Sequence, residues 1–277
     1  MPFLYHANEV LKRRRLFKRR RDFQFAIVGS LATDLEWVAG MKGAHKRSLE
    51  FYHYLLTRGK SERKAKKYAP FALGMYIHKI TDDWIEPTYV DTKKNFKIAS
   101  NIIKKYDPHH IEIKDAQHAL IEQAIDYNIS NGNKKLMRNL NNALRRVFKK
   151  KNLDNITQYM EDFFGTDKEI IKSKLALFNP DSKRSLAKIE DYSNVLGQVN
   201  LWMGNMFYMI NQKTIKGMYK ITLIFRYLKY SFMQDKNKLG NMVLEAKDKF
   251  NDFHHIIKGF QKRLDKEVKN KLRRFYE

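Results

Sequence analysis

The segment Gly74-Met75-Tyr76-Ile77-His78-Lys79-Ile80-Thr81-Asp82-Asp83-Trp84 follows Leu73 and sets one imidazole four residues before one carboxylate. Leu73, Ile77, Ile80 and Trp84 recur at intervals of four and three, the period of an amphipathic helix. On a helix, His78 and Asp82 share a face one turn apart. An imidazole nitrogen and a carboxylate oxygen so placed can share one zinc ion at about 2 Å each. By itself such a pair is more often a surface hydrogen bond.

Outward from this segment the same spacing continues nearly throughout, with almost no alternating strand pattern. The chain is therefore expected to be all-α, a multi-helix bundle. Helices are predicted over 7–20, 22–31, 44–58, 61–85, 93–106, 112–131, 133–150, 154–164, 167–177, 181–212, 214–233 and 236–275. Gly29, Gly40, Gly43, Gly59, Pro87, Pro108, Gly132, Gly165 and Pro180 are read as stops. No internal repeat or low-complexity linker stands out. Seven of the nine histidines precede residue 150, which places the chemistry there. Residues 1–150 are thus expected to form a metal-binding helical core. Residues 151–277 are expected to be additional helices packed on it in one continuous domain.

With 277 residues, 43% of them hydrophobic, the chain can bury a sizeable core. Five prolines leave room for long helices, and the absence of cysteine excludes disulfides and thiolate ligands. Any metal site must draw on His, Asp and Glu. The net charge of +25, from 55 basic and 30 acidic residues, attracts polyanions: phospholipid head groups, nucleic acid or phosphorylated substrates. A solvated surface in a lysine-rich proteome accounts for it equally well. The amino-terminal sequence is not expected to act as a signal peptide, since its basic residues follow the short apolar stretch. The uncharged run from Tyr192 to Gln212 contains Asn194, Gln198, Asn200, Asn205 and Asn211 and reads as a buried helix, not a span. The expected location is cytoplasmic, with peripheral contact at a membrane.

A second pair, His118 and Glu122, repeats the four-residue spacing, and Asp126 extends the stripe by one turn. Its neighbours Ala119, Leu120, Ile121, Ala124 and Ile125 are apolar, so the stripe is expected within a largely buried helix. Buried charge needs a partner or a metal; a salt bridge to a lysine is the simpler alternative. Three further candidates precede the two pairs: His6, Asp34 at a helix-to-loop corner, and His45 just after Gly43. Asp34 could equally cap a helix.

In chain order, His6, Asp34, His45, His78-x-x-x-Asp82 and His118-x-x-x-Glu122 resemble the zinc-dependent phospholipase C family, whose fold is shared with zinc-dependent single-strand nucleases. The similarity covers about residues 1–130. It includes Gly29-Ser30 ahead of Asp34, Leu73-Gly74 ahead of His78, and Pro87 after the helix. It implies an all-helical fold with one to three zinc ions, or another divalent metal, in a cleft. By position, Asp34, His45, His78 and Asp82 would form a first site, and His118 and Glu122 part of a second. His6 would bind a third ion, which Asp82 would bridge. The chain departs from the family in lacking a histidine after His-x-x-x-Asp. Glu86, His109 or His110 would have to replace it. Thr33 stands in place of a proline, and the interval from His45 to His78 is shorter.

The implied activity is metal-dependent hydrolysis of a phosphodiester of a phospholipid, with Asp34 orienting the attacking water. A same-fold nuclease is the nearest alternative. A non-catalytic basic protein that binds membrane or nucleic acid, its metal site structural or vestigial, is another. The run Lys12-Arg13-Arg14-Arg15-Leu16-Phe17-Lys18-Arg19-Arg20-Arg21 suits anionic lipid, a nucleic-acid backbone or a solvated helix end. The aromatic and basic stretch 215–233 reads as an interfacial helix or as core. Trp37 and Trp84 flank the ligands and would wall the cleft or pack the core.

Overall fold

The computed structural model of the chain describes residues 3–33, 41, 43–61, 63–106, 114–175 and 236–277. The described residues form helices and connecting turns, without a strand, as the periodicity requires. Among them no helix is long and apolar enough to cross a membrane. The predicted helices over 181–212 and 214–233 lie outside the described residues. So do Asp34, Trp37, His109 and His110.

The helices are α1 (Phe3–Lys12), α2 (Arg20–Ala32), α3 (Ser48–Ser61), α4 (Arg63–Lys66), α5 (Ala69–Ile85), α6 (Lys93–Tyr106), α7 (Lys114–Ser130), α8 (Lys134–Val147), α9 (Lys150–Phe164), α10 (Lys168–Leu175), α11 (Lys236–Lys249), α12 (Phe253–Ile256) and α13 (Lys258–Tyr276). A short 3-10 turn, Arg14–Leu16, follows α1, and a π turn, Glu86–Val90, follows α5. Contacts divide the chain into two compact units, and both take segments from either side of residue 150.

One unit contains Phe3–Trp84, Ile256–Glu277 and the described residues 133–175. Within it α1, α2 and α8 pack together, while α9 packs on α3, α8 and α10. Helix α8 shows why the pattern works. Leu136, Leu140, Ala143, Leu144 and Val147 are buried at helical spacing, and the polar residues between them lie nearer water. Asn133 caps it by accepting the Leu136 N–H at 3.0 Å. Helix α13 buries Phe260, Leu264, Val268, Leu272 and Phe275 in the same way.

Helices α2 and α5 cross almost backbone to backbone. A Cβ added at Gly29 would lie 1.9 Å from the Phe71 carbonyl oxygen, and one at Gly74 would lie 2.0 Å from that of Ala26. Gly29, read as a stop, therefore lies inside α2, where the missing side chain permits close approach. Gly59 likewise lies inside α3.

The predicted helix 61–85 is two helices, because Pro70 has no N–H to bond back to Lys66 and fits only the first turn of α5. The predicted helix 236–275 is interrupted between α11 and α13. The predicted helix 7–20 ends at Lys12, so the basic run spans the connection into α2.

The other unit contains Ile85–Gly132 and the described residues 236–255. Helices α6, α7 and α11 form a three-helix cluster, with the π turn against α6 and α7. Pro87 sits at the head of that turn, where its missing N–H costs little. Tyr89 and Val90 are buried there, and the Tyr89 hydroxyl donates to Asp252.

Candidate metal centre

Three imidazoles converge on one carboxylate in the unit that contains α2 and most of α5. His78 and Asp82, a turn apart on α5, bring Nε2 to 2.8 Å from Oδ2. His6, from the buried amino-terminal half of α1, places Nε2 3.1 Å from Oδ1. His45, in the turn before α3, places Nε2 3.3 Å from Oδ2. The His6 and His78 rings stack with centroids 3.7 Å apart, and the His45 ring stands edge-on to His78.

The crossing at Gly29 and Gly74 orients this group. It lets the Ser30 carbonyl oxygen lie 2.6 Å from Nδ1 of His78. A carbonyl only accepts, so Nδ1 carries the proton. In neutral His78, Nε2 then presents a lone pair to the Asp82 oxygen. Two lone pairs at 2.8 Å repel, and a proton or a cation must lie between them. The Thr33 hydroxyl lies 3.4 Å from the Met75 carbonyl oxygen and the same distance from that of Gly29.

Burial works against the Asp82 charge. Attraction to His78 and His6, with hydrogen bonds from His45 and His6, holds its carboxyl well below the usual carboxylate range. His6 and His78 are buried, whereas the Asp82 side chain is 12% exposed and that of His45 27%. The group is therefore reached from the His45 and Asp82 side. Among the described residues His6, His78 and Asp82 could hold a metal ion, their ligand atoms lying within 4.8 Å of one another.

The second pair lies on α7, in the other unit. His118 is held at both nitrogens: Nε2 is 2.9 Å from Glu122 Oε1 and Nδ1 is 2.9 Å from Asp91 Oδ1. Burial opposes a charge on His118. Attraction to Glu122, with hydrogen bonds to Glu122 and Asp91, outweighs it and pushes the imidazole up to about 9. Glu122 is buried, which would raise its carboxyl, yet neighbouring positive charge that includes His118 lowers it to about 2.

In metal-free protein His118 is thus an imidazolium clamped by two carboxylates. Its folded pKa is raised, so its contribution to stability is full below pH 6.5 and is lost as pH rises through about 9. For Glu122 the sign reverses: the contribution is full above pH 4.5 and is lost as pH falls through about 2. In metal-free protein, NMR titration of the His118 ring should show a midpoint near 9. A midpoint at the ordinary histidine value would refute the clamp.

Asp91 has no sequence signal, lying 27 residues from His118 and outside any helical register with it. Glu86 is half-buried at the head of the π turn, where its carbonyl oxygen accepts the Asp91 N–H at 2.7 Å. Asp126 is buried one turn beyond Glu122. Trp84 stacks on Phe260 at 4.7 Å, in keeping with a packing role. Comparisons with known protein families, characterised proteins and solved structures return no match for this chain.

Proposed function

We propose that this protein is a metal-dependent phosphodiester hydrolase similar to zinc-dependent phospholipase C, with its metal held by His6, His45, His78 and Asp82. The supporting observation is the convergence of three Nε2 atoms on one carboxylate, with the His78 proton fixed on Nδ1. Protonating all three rings would set like charges against one another. A single divalent cation would satisfy all four side chains.

The donor set fits zinc. Nitrogen-rich ligation with one carboxylate is characteristic of it, whereas magnesium and calcium favour oxygen. Bonds of about 2 Å around a tetrahedral ion place donor atoms roughly 3.3 Å apart. The nitrogen-to-oxygen separations, 2.8 and 3.3 Å to Oδ2 and 3.1 Å to Oδ1, are near that spacing; the ligand atoms of His6, His78 and Asp82 lie within 4.8 Å of one another, and His45, outside that group, would move toward the ion. The Ser30 carbonyl supplies the outer hydrogen bond that fixes tautomer and ring orientation.

When bound, zinc supplies Lewis acidity and an activated water at neutral pH. Asp82 carries the negative charge that offsets the cation. His6 and His78, buried and stacked, keep their donor atoms aimed. Access from the His45 and Asp82 side supports a catalytic over a purely structural role. Asp34 is proposed to orient the attacking water, and His118, Glu122 and Glu86 to serve a second metal. Phospholipid is the proposed substrate, which suits a chain of net charge +25.

Zinc-reconstituted protein is expected to hydrolyse phosphatidylcholine vesicles or bis(p-nitrophenyl) phosphate. A chelator should abolish turnover and added zinc restore it. Protein shown by elemental analysis to carry zinc, yet inert on phospholipid, single-stranded nucleic acid and the chromogenic diester, would refute the catalytic assignment. Turnover of nucleic acid alone would assign the nuclease activity instead.

A further inference from the structure

In the same unit as His78 and Asp82, a cavity of about 410 Å³ is lined by Arg19, Arg21, Lys66, Lys67, Phe275 and Tyr276. Three segments meet there: the start of α2, the junction of α4 with α5, and the end of α13. Arg21 and Ser30 are nine residues apart on α2, which places the cavity roughly 14 Å along the helix from the Ser30 carbonyl that orients His78.

Tyr276 fixes one wall. Its hydroxyl accepts the Lys18 backbone N–H at 2.8 Å and donates to Asp22 at 3.1 Å. The Lys66 ammonium lies 5.9 Å from the Phe275 ring. The other oxygen of buried Asp22 is 3.5 Å from Arg21 Nε. Among the described residues no carboxylate lies within ion-pair distance of Arg19, Lys66 or Lys67. Lys67 has the neutral partners Tyr68 and Asn152 at 3.4 and 3.5 Å. Burial, then repulsion from Arg21, holds its ammonium below the ordinary lysine range. Four cations thus line one concavity, with the Asp22 carboxylate beside one of them. Arg19, at the N-cap of α2, supplies no side-chain acceptor to the first-turn amides, which adds further positive potential.

We propose that this cavity binds a compact phosphate-bearing anion, a phosphomonoester or pyrophosphate group. Its volume is that of a small-ligand site, for which the usual range is about 300–1,000 Å³. Guanidinium forks and lysine point charges are the usual phosphate partners. A concave cluster matches charge concentrated on one group. A nucleic-acid strand spreads its charge at about one per 3.4 Å and calls for an extended groove. The phosphate can belong to a soluble compound or to a lipid head group.

The test measures binding of pyrophosphate by calorimetry and of phosphatidylcholine vesicles with and without phosphatidylinositol phosphate by co-sedimentation. It compares wild type, Lys66→Gln/Lys67→Gln, and the control Lys134→Gln/Lys135→Gln, which removes equal charge from exposed positions on α8. The expected result is at least a tenfold loss of affinity in the first variant and less than twofold in the control. Lys66→Arg/Lys67→Arg should retain binding. Pyrophosphate binding identifies a soluble ligand, and vesicle binding that requires the phosphoinositide identifies a lipid; both support the site. Equal losses in the two glutamine variants would reduce the effect to net charge and overturn the proposal. So would failure of both probes to bind, or preferential binding of a single-stranded oligonucleotide.

Discussion

Asp82→Ala is expected to leave the protein without metal. The carboxylate is where His6, His45 and His78 meet, at 3.1, 3.3 and 2.8 Å. Removing it takes one proposed ligand and the one carboxylate of that group. Changes one shell further out lower metal affinity about 10–100-fold, so a loss above ~100-fold is expected here. Stability falls for two reasons. Deleting one partner of a buried ionic group costs about 3–5 kcal/mol. The metal-linked term, roughly 4 kcal/mol at a thousandfold excess over Kd, disappears as well. Asp82→Asn separates these effects, since its amide keeps a hydrogen-bonding group of the same shape beside the imidazoles while the charge is gone. Elemental analysis and thermal melts with and without added zinc measure both. If Asp82→Asn retained full metal content, the carboxylate would not be a ligand.

Gly74→Ala is the second large effect, and local propensity predicts its sign wrongly. Alanine in a helix is favoured over glycine by about 1 kcal/mol. At Gly74, however, a Cβ would lie 2.0 Å from the Ala26 carbonyl oxygen and 2.8 Å from its carbon. Both are backbone atoms of α2 and cannot rotate away. Overpacking costs about 1–3 kcal/mol even where side chains can yield, so a loss of ~3 kcal/mol or more is expected. Separating α2 from α5 also withdraws the Ser30 carbonyl from His78, so zinc affinity should fall with stability. Gly259→Ala, on α13 with nothing within 4 Å of its Cβ, is the control and should change stability by no more than about 1 kcal/mol. Urea midpoints compare the two. Similar midpoints would show that the crossing tolerates a methyl group.

These two positions also mark what the sequence discloses and what it hides. The four-residue interval between His78 and Asp82 is local, so helical periodicity alone puts them on one face. His6 and His45 join them from other elements. Only the order of residues, by resemblance, groups them in advance, and α1 and the turn before α3 bring both to the same carboxylate. Gly29 and Gly74 carry no such mark, because a glycine that ends a helix and one that admits a neighbouring helix look alike in one dimension. Asp91 is illegible for a related reason: its contact with His118 depends on the π turn after α5. The cationic cavity is half visible, as a run of arginines. Lys66, Lys67, Phe275 and Tyr276 reach it only through tertiary packing.

The most direct test of the metal centre is anomalous scattering at the zinc edge from crystals of zinc-reconstituted protein. The expected result is a peak bounded by Nε2 of His6, His45 and His78 and the carboxylate of Asp82. Reconstituted protein with no peak there, or with zinc bound only elsewhere, would contradict it.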